Sequence, residues 1–158
     1  MIKITKEKLL KASITGIFST ITIGILTLLT YKTTMGLFLT ASFGASMVLL
    51  YEFPESPFAQ PKNIFFGHLL TALIGILFVN YIHLPIFINI ALAVGIGIFF
   101  MIALDVVHPP AGGNPIMVII GEGSYEYLIS PIIFGCLIIL LFGIILNKFI
   151  LKKNYPLK

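Results

Sequence analysis

The sequence predicts an all-α, polytopic membrane protein, and three observations carry that prediction. Of the 158 residues, 58% are hydrophobic and only 10% charged, against roughly a quarter charged in an ordinary soluble domain. Mean hydropathy is +1.09, and a chain this short has too much surface for its volume to hide that apolar area in a water-soluble core. The apolar residues also fall into runs close to the roughly 20 residues that cross a bilayer. No hydrophilic stretch is long enough for a second domain, so residues 1–158 are expected to form one transmembrane domain.

Four runs read as crossing helices: 14–30, which continues at both ends, 64–81, 84–104 and 128–150. The first follows a lysine-rich start. No small-residue cleavage site comes promptly after it, so it is expected to be an uncleaved helix. Two further segments are shorter. Residues 35–51 are uncharged and just long enough to span; residues 109–120 are too short and open on Pro and Gly. Such segments fit broken or re-entrant elements, tolerated in a membrane where protein or a water-filled cavity covers the backbone.

All positive side chains are lysines. Lys3, Lys6, Lys8 and Lys11 crowd one end, and Lys148, Lys152, Lys153 and Lys158 the other. Positive clusters stay cytoplasmic, so both termini are expected inside, the number of crossings even, and the location a bacterial inner (plasma) membrane. The basic balance is thus a topology signal. No basic face or stacking motif suggests a nucleic-acid partner. Cys136 stands alone in an apolar run, which rules out an intrachain disulfide.

The chain reads as an internal two-fold repeat, about 12–81 and about 84–150. Ile64-Phe65-Phe66-Gly67 with Gly75 matches Ile132-Ile133-Phe134-Gly135 with Gly143 at a shift of 68. Met47 to Leu50 with Glu52 matches Met117 to Ile120 with Glu122 at a shift of 70. Three passes per half would make the repeats inverted and two would make them parallel; three are favoured because 35–51 can span. Paired interrupted segments are the best sequence pointer to a transporter's binding site. The four repeat glycines are expected at close helix contacts.

The densest polar string in an apolar setting is Asp105-Val106-Val107-His108-Pro109-Pro110-Ala111-Gly112-Gly113-Asn114-Pro115. The prolines end the preceding helix, Gly112 and Gly113 permit positive φ, and Asn114 with Pro115 would cap and open the next helix. Free N–H groups there suit a small anion. Thr40-Ala41-Ser42-Phe43-Gly44-Ala45-Ser46 is the counterpart, with Ser42, Gly44 and Ser46 as a second set of donors. The candidate substrate site is therefore His108, Asn114, Gly112, Gly113, Ser42, Gly44 and Ser46. Asp105 and His108 are candidate proton relays, since ionisable groups at membrane depth mark pathways; Asp105 as a helix cap at the interface is the alternative. The proline-rich loop 52–63 brings Gln60, Lys62 and Asn63 forward as a vestibule, or as a stiff loop with Asn63 capping a helix. His68 reads as a packing histidine bonded to a neighbouring helix, and Glu122 and Glu126 as loop residues facing water. No hydrolase, zinc-protease or phosphate-loop signature is present, and His68, His83 and His108 lack metal-ligand spacing. Neither an enzyme nor a cofactor is expected.

Two strings resemble the HPP family of integral membrane proteins. Ser42 to Leu50, followed by Ser56-Pro57-Phe58-Ala59-Gln60-Pro61-Lys62-Asn63 and Gly67-His68, is similar to that family's first signature. His108-Pro109-Pro110-Ala111-Gly112 is similar to the motif that names it. The resemblance runs from about residue 36 to 150. It implies four spanning helices and, from the members associated with nitrite transport, an anion permease. Gly113-Asn114 departs from the small apolar residues of the family pattern, which leaves substrate preference open. The expectation is a permease or channel for a small monovalent anion, nitrite first, working by facilitated or proton-coupled transport as a homo-oligomer in the bilayer. The competing readings are a transporter of another small solute, a membrane enzyme and a helical assembly partner.

Overall fold

The computed structural model describes residues 4–34 and 36–157. Lys3 and Lys158 of the topology argument, and Met35 at the head of the short spanning segment, lie outside them. The elements are α1 (Lys6–Lys32), α2 (Ser42–Glu52), a 3₁₀ turn (Pro57–Ala59), α3 (Pro61–Tyr81), α4 (Ile86–Ala103), a second 3₁₀ turn (Pro109–Gly113) and α5 (Asn114–Ile120). A last rod follows, in which α6 (Phe134–Ile144) is flanked by π-helical turns at Leu128–Ile133 and Ile145–Ile150. Pro131 supplies no N–H, and Ser130 next to it is extended, so the first turn of the rod is widened and kinked.

Among the described residues four helices are long and apolar enough to cross a membrane: α1, α3, α4 and the rod Leu128–Ile150. They coincide with the four expected runs. α1 starts earlier than expected because Thr5 caps it, its hydroxyl accepting from the Lys8 N–H at 3.2 Å. α2 has 11 residues, roughly 16 Å of helix against about 30 Å of hydrocarbon. The expectation that 35–51 spans as a helix is therefore corrected. Gly36 has φ +97°, the Phe38 N–H goes to the Thr30 hydroxyl at 2.9 Å, and the Leu37 carbonyl accepts from the Ser130 hydroxyl. With those backbone groups taken by side chains, 37–40 forms no helix and α2 begins only at Ser42.

Contacts nevertheless carry both broken segments lengthwise. Residues 37–52 follow the last rod in parallel: Leu37 meets Ser130, Phe43 meets Gly135, Leu50 meets Gly143, and the Leu50 carbonyl accepts from Asn147 at 2.9 Å. Residues 105–120 follow α3 in the same way, from Asp105 at Lys62 through His108 at Gly67 to Val118 at Gly75. The two half-helices leave the middle in opposite directions, because α3 and the rod run oppositely. Lys11 pairs with Glu52 at 2.6 Å, and Tyr155 reaches the Ala59 carbonyl at 2.9 Å. The starts of α1 and α3 and the end of the chain thus share one end of the bundle.

The four repeat glycines sit at the close contacts expected of them, and the contacts are exchanged between halves. A Cβ on Gly67 would lie 3.0 Å from the Val106 carbonyl, and one on Gly135 would strike the Phe43 ring and the Phe38 carbonyl. Positions 67 and 135 are 68 apart, and so are 38 and 106. Likewise Gly75 meets Val118 while Gly143 meets Leu50, again 68 apart on both sides. By contact, Leu50 thus corresponds to Val118, two positions from the partner that the sequence match at a shift of 70 gives it. Short elements fill the centre: Phe43, Met47, Leu50 and Tyr51 of α2 are buried against Leu26, Ile64, Ile76, Ile132 and Ile139. The long helices turn Phe87, Phe99, Ile102 and Ile17 outward, as a lipid-facing shell requires.

Candidate functional site

The first turns of α2 and α5 meet in a cluster of buried polar side chains: Ser42, Ser46, His68, Thr71, His108 and Asn114. Each is delivered by a feature legible in the local sequence. Pro109 and Pro110 hold His108 in extended backbone ahead of the 3₁₀ turn. Ser42 and Ser46 lie one helical turn apart on α2, and His68 and Thr71 share a face of α3. The Ser42 hydroxyl donates to Asn114 Oδ1 at 2.7 Å. Asn114 Nδ2 then reaches His68 Nδ1 at 3.0 Å, the His68 carbonyl at 3.1 Å and the Thr71 hydroxyl at 3.0 Å.

The network assigns the histidine protons. His108 Nδ1 lies 2.8 Å from the Phe58 carbonyl, which only accepts, so Nδ1 carries the hydrogen and Nε2 is bare in the neutral ring. His68 Nδ1 faces the Asn114 amide donor, so its hydrogen is on Nε2. Ser46 Oγ sits between the two rings, 3.0 Å from His68 Nε2 and 2.8 Å from His108 Nε2. It accepts from the first and donates to the second. Every ring nitrogen is satisfied by one set of protons, as a buried network demands.

An open cleft of about 1030 Å³ lies at the end of the bundle opposite the Tyr155 contact, and Thr40, Ala41 and Gly44, neighbours of Ser42 in the chain, are on its wall. Its walls include Gly36, Thr40, Gly44, Met117, Glu122 and Tyr127. Tyr127 donates to the Thr40 hydroxyl at 2.8 Å, and Thr40 Oγ1 is 3.4 Å from Ser42 Oγ. A polar line therefore runs from the cleft wall into the cluster. On the far side, the Phe58 carbonyl closes it. Residues 151–157 back that turn: Tyr155 is buried, its hydroxyl donates to Ala59, and Leu157 N–H donates to the Gln60 side chain at 2.9 Å. Burial raises the Tyr155 pKa above the ordinary phenol value, so it remains a donor.

Of the residues singled out from sequence, His108, Asn114, Ser42 and Ser46 come together. Gly44 lines the cleft instead. Gly112 and Gly113 lie on the 3₁₀ turn with open space where a Cβ would be, and Gly36 is the positive-φ glycine among the described residues; the positive φ expected at 112 and 113 is corrected. Asn114 is the first residue of α5, and its side chain caps nothing, because His68, Thr71 and Ser42 claim it. Asp105 stands at the surface with φ +53°, closing α4, and pairs with Lys62 at 3.4 Å; it does not reach the cluster. Gln60 donates to the Pro54 and Ser56 carbonyls at 2.8 and 2.9 Å, and Asn63 to the Val107 carbonyl at 2.9 Å. These residues fasten the loop rather than line the cleft, and α3 starts at Pro61, ahead of Asn63. His68 is the packing histidine bonded to neighbouring helices that the sequence led one to expect, here to Ser46 and Asn114, while Thr71 and Tyr127 carried no expectation. The available signal was a histidine and a threonine three positions apart inside an otherwise apolar spanning helix. Among the described residues no three His, Cys, Asp or Glu side chains gather as a metal site would need.

Buried helix breaks inside a shell of bilayer-length apolar helices define an integral membrane protein. The chain belongs to the HPP family: its sequence matches the HPP transmembrane region over residues 4–156. Two Dictyostelium discoideum proteins, each described as a transmembrane protein, are similar to it. One is 35% identical over 127 residues, covering 75% of this chain and 44% of the relative; the other is 35% identical over 142 residues, covering 84% and 46%. The chain thus spans less than half the length of these relatives. No solved structure matches it.

Proposed function

We propose that the protein is a permease for a small monovalent anion, nitrite first, whose transport site is the Ser42–Ser46–His68–His108–Asn114 cluster. The observation that carries this reading is the meeting of the two half-helices at a single buried polar cluster, with Ser42 bonded to Asn114 at 2.7 Å and Thr40, two residues from Ser42, on the wall of a cleft. Breaks in corresponding positions at the centre of a membrane bundle are where transporters bind substrate. The exchanged contacts at a constant offset of 68 support an inverted repeat with three passes per half. Both chain ends then fall on one side, which the lysines make the cytoplasmic one.

The chemistry favours an anion. The first turns of α2 and α5 both face the cluster with their positive dipole ends. No carboxylate is among the cluster's hydrogen-bond partners. Ser42, Ser46 and Asn114 offer O–H and N–H donors once they release one another. The closed network is then the state between loads: side chains satisfy each other until an anion replaces those bonds, which avoids leaving polar groups unpaired in a dry interior. The exposed apolar face of α1 favours a homo-oligomer, and the absence of a nucleotide motif in the sequence favours facilitated or ion-coupled transport.

The test is nitrite flux into liposomes reconstituted with the wild type and with His108→Ala. Fast flux that is selective over sulfate and lost in the variant is the expected outcome. Wild-type protein that is folded and inserted but gives no flux above empty liposomes would sink nitrite as the substrate.

A further inference from the structure

The cluster holds a place for one extra proton and no counter-charge for it. We infer that His108 takes up a proton together with each anion, so that the permease is an anion–proton symporter. This deepens the anion reading and rests on it.

The argument starts from Ser46. In the neutral network its hydroxyl accepts from His68 Nε2–H and donates to the bare Nε2 of His108. It has a second resting place for its hydrogen, because the Ser42 carbonyl lies 3.1 Å from the same oxygen. Turning the hydroxyl to that carbonyl leaves Ser46 Oγ facing both rings with lone pairs. A proton can then bind His108 Nε2, converting the imidazole to an imidazolium that donates to Ser46 Oγ and, through Nδ1, to the Phe58 carbonyl. His68 has no such freedom. Its bare Nδ1 faces the Asn114 NH₂, and an amide nitrogen cannot become an acceptor without breaking the bonds to Ser42 and Thr71. The ring centroids are 5.0 Å apart, so a second positive charge beside the first is opposed. The site holds one proton.

An unbalanced imidazolium here is costly. α2 presents Ser42, Ser46 and Phe43, α3 presents His68 and Thr71, α5 presents Asn114, and the 57–59 turn presents a carbonyl. None of these is an anion. The ion pairs Lys62–Asp105 and Lys11–Glu52 are taken up with each other outside the cluster, and the Tyr127 phenol is bonded to Thr40. Glu122 and Glu126 stand on the cleft wall, outside the cluster's hydrogen bonds, so the negative charge inside the cluster comes with the substrate. Proton and monovalent anion then stabilise each other and cross as a neutral pair. The Asn114 amide also interrupts the polar line from Tyr127 to His68, because an amide does not pass a proton along. The closed state therefore does not leak protons.

The experiment uses wild-type protein in liposomes, nitrite as the probe, and subtraction of the protein-free leak. With the potential clamped at zero, an inward proton gradient should raise nitrite uptake several-fold. At equal pH, an imposed potential should leave it unchanged. Uptake that follows the potential and ignores the proton gradient overturns the symport while leaving anion permeation intact. No protein-dependent uptake under either drive overturns both. A readout that needs no variant and no flux is ¹⁵N NMR of the histidines in detergent. Saturating nitrite should convert the bare Nε2 resonance of His108 to a protonated one, and sulfate should not; an unchanged resonance overturns the proposal.

Discussion

Residues 37–52 and 106–120 run through the bundle on the same plan, half irregular and half helical, yet they bring different chemistry to the middle. The offset of 68 that relates their glycine contacts sets Thr40 against His108, Ser46 against Asn114 and, on the long helices, His68 against Cys136. Both border the open cleft, but one supplies hydroxyls and the other an imidazole and an amide, with the imidazole end backed by Phe58 and Tyr155. The skeleton is symmetric and the titratable groups are not. On the permease reading proposed above, the matching backbones would give two ways in and the one-sided chemistry a single load.

The largest expected effect breaks the shared skeleton. Gly135→Leu would drive a side chain into the Phe43 ring and the Phe38 carbonyl, beyond the ~1–3 kcal/mol usual for overpacking. No folded, monodisperse protein should survive detergent extraction. Gly95→Leu, with open space around its Cβ, should extract and melt like wild type. Equal behaviour of the two would remove the glycine contacts from the account.

Next comes the asymmetric chemistry. Asn114→Ala removes one bond each from Ser42 and Thr71 and leaves His68 Nδ1 buried without a partner, which should cost roughly 1–3 kcal/mol in detergent unfolding. A smaller step is expected at the sealed mouth. Tyr155→Phe keeps the packing and loses one bond to Ala59, about 1 kcal/mol, with faster proteolysis of the 52–61 loop as its sign. Asp105→Asn should do least, because the side chain is exposed and its partner lies at 3.4 Å; flux and melting should both match wild type.

The legible part of the fold was what apolar length determines. The four long helices announce themselves because lipid demands runs of that length, and the breaks announce themselves because Pro, Gly and Asn cluster in otherwise apolar chain. Their exact start was not legible. Phe38 and Leu37 lose helical partners to Thr30 and Ser130, side chains 8 and 93 positions away, which no local pattern reports. Four cluster members were read from the two motifs. His68 was read as a packing residue, since one polar residue in a helix does not say which neighbour it faces. Asn114 was read as a cap, because the capping preference is local and the pull of His68 and Thr71 is not.

The most direct test of the central claim is whether the buried cluster lies on the substrate path. Ser46→Cys, in a Cys136→Ala background, should react with a membrane-impermeant charged thiol reagent while transport runs, and nitrite should slow that reaction in proportion to its occupancy of the site. Labelling that never occurs during measurable nitrite flux, or that nitrite does not slow, would contradict the account and move the path elsewhere in the bundle.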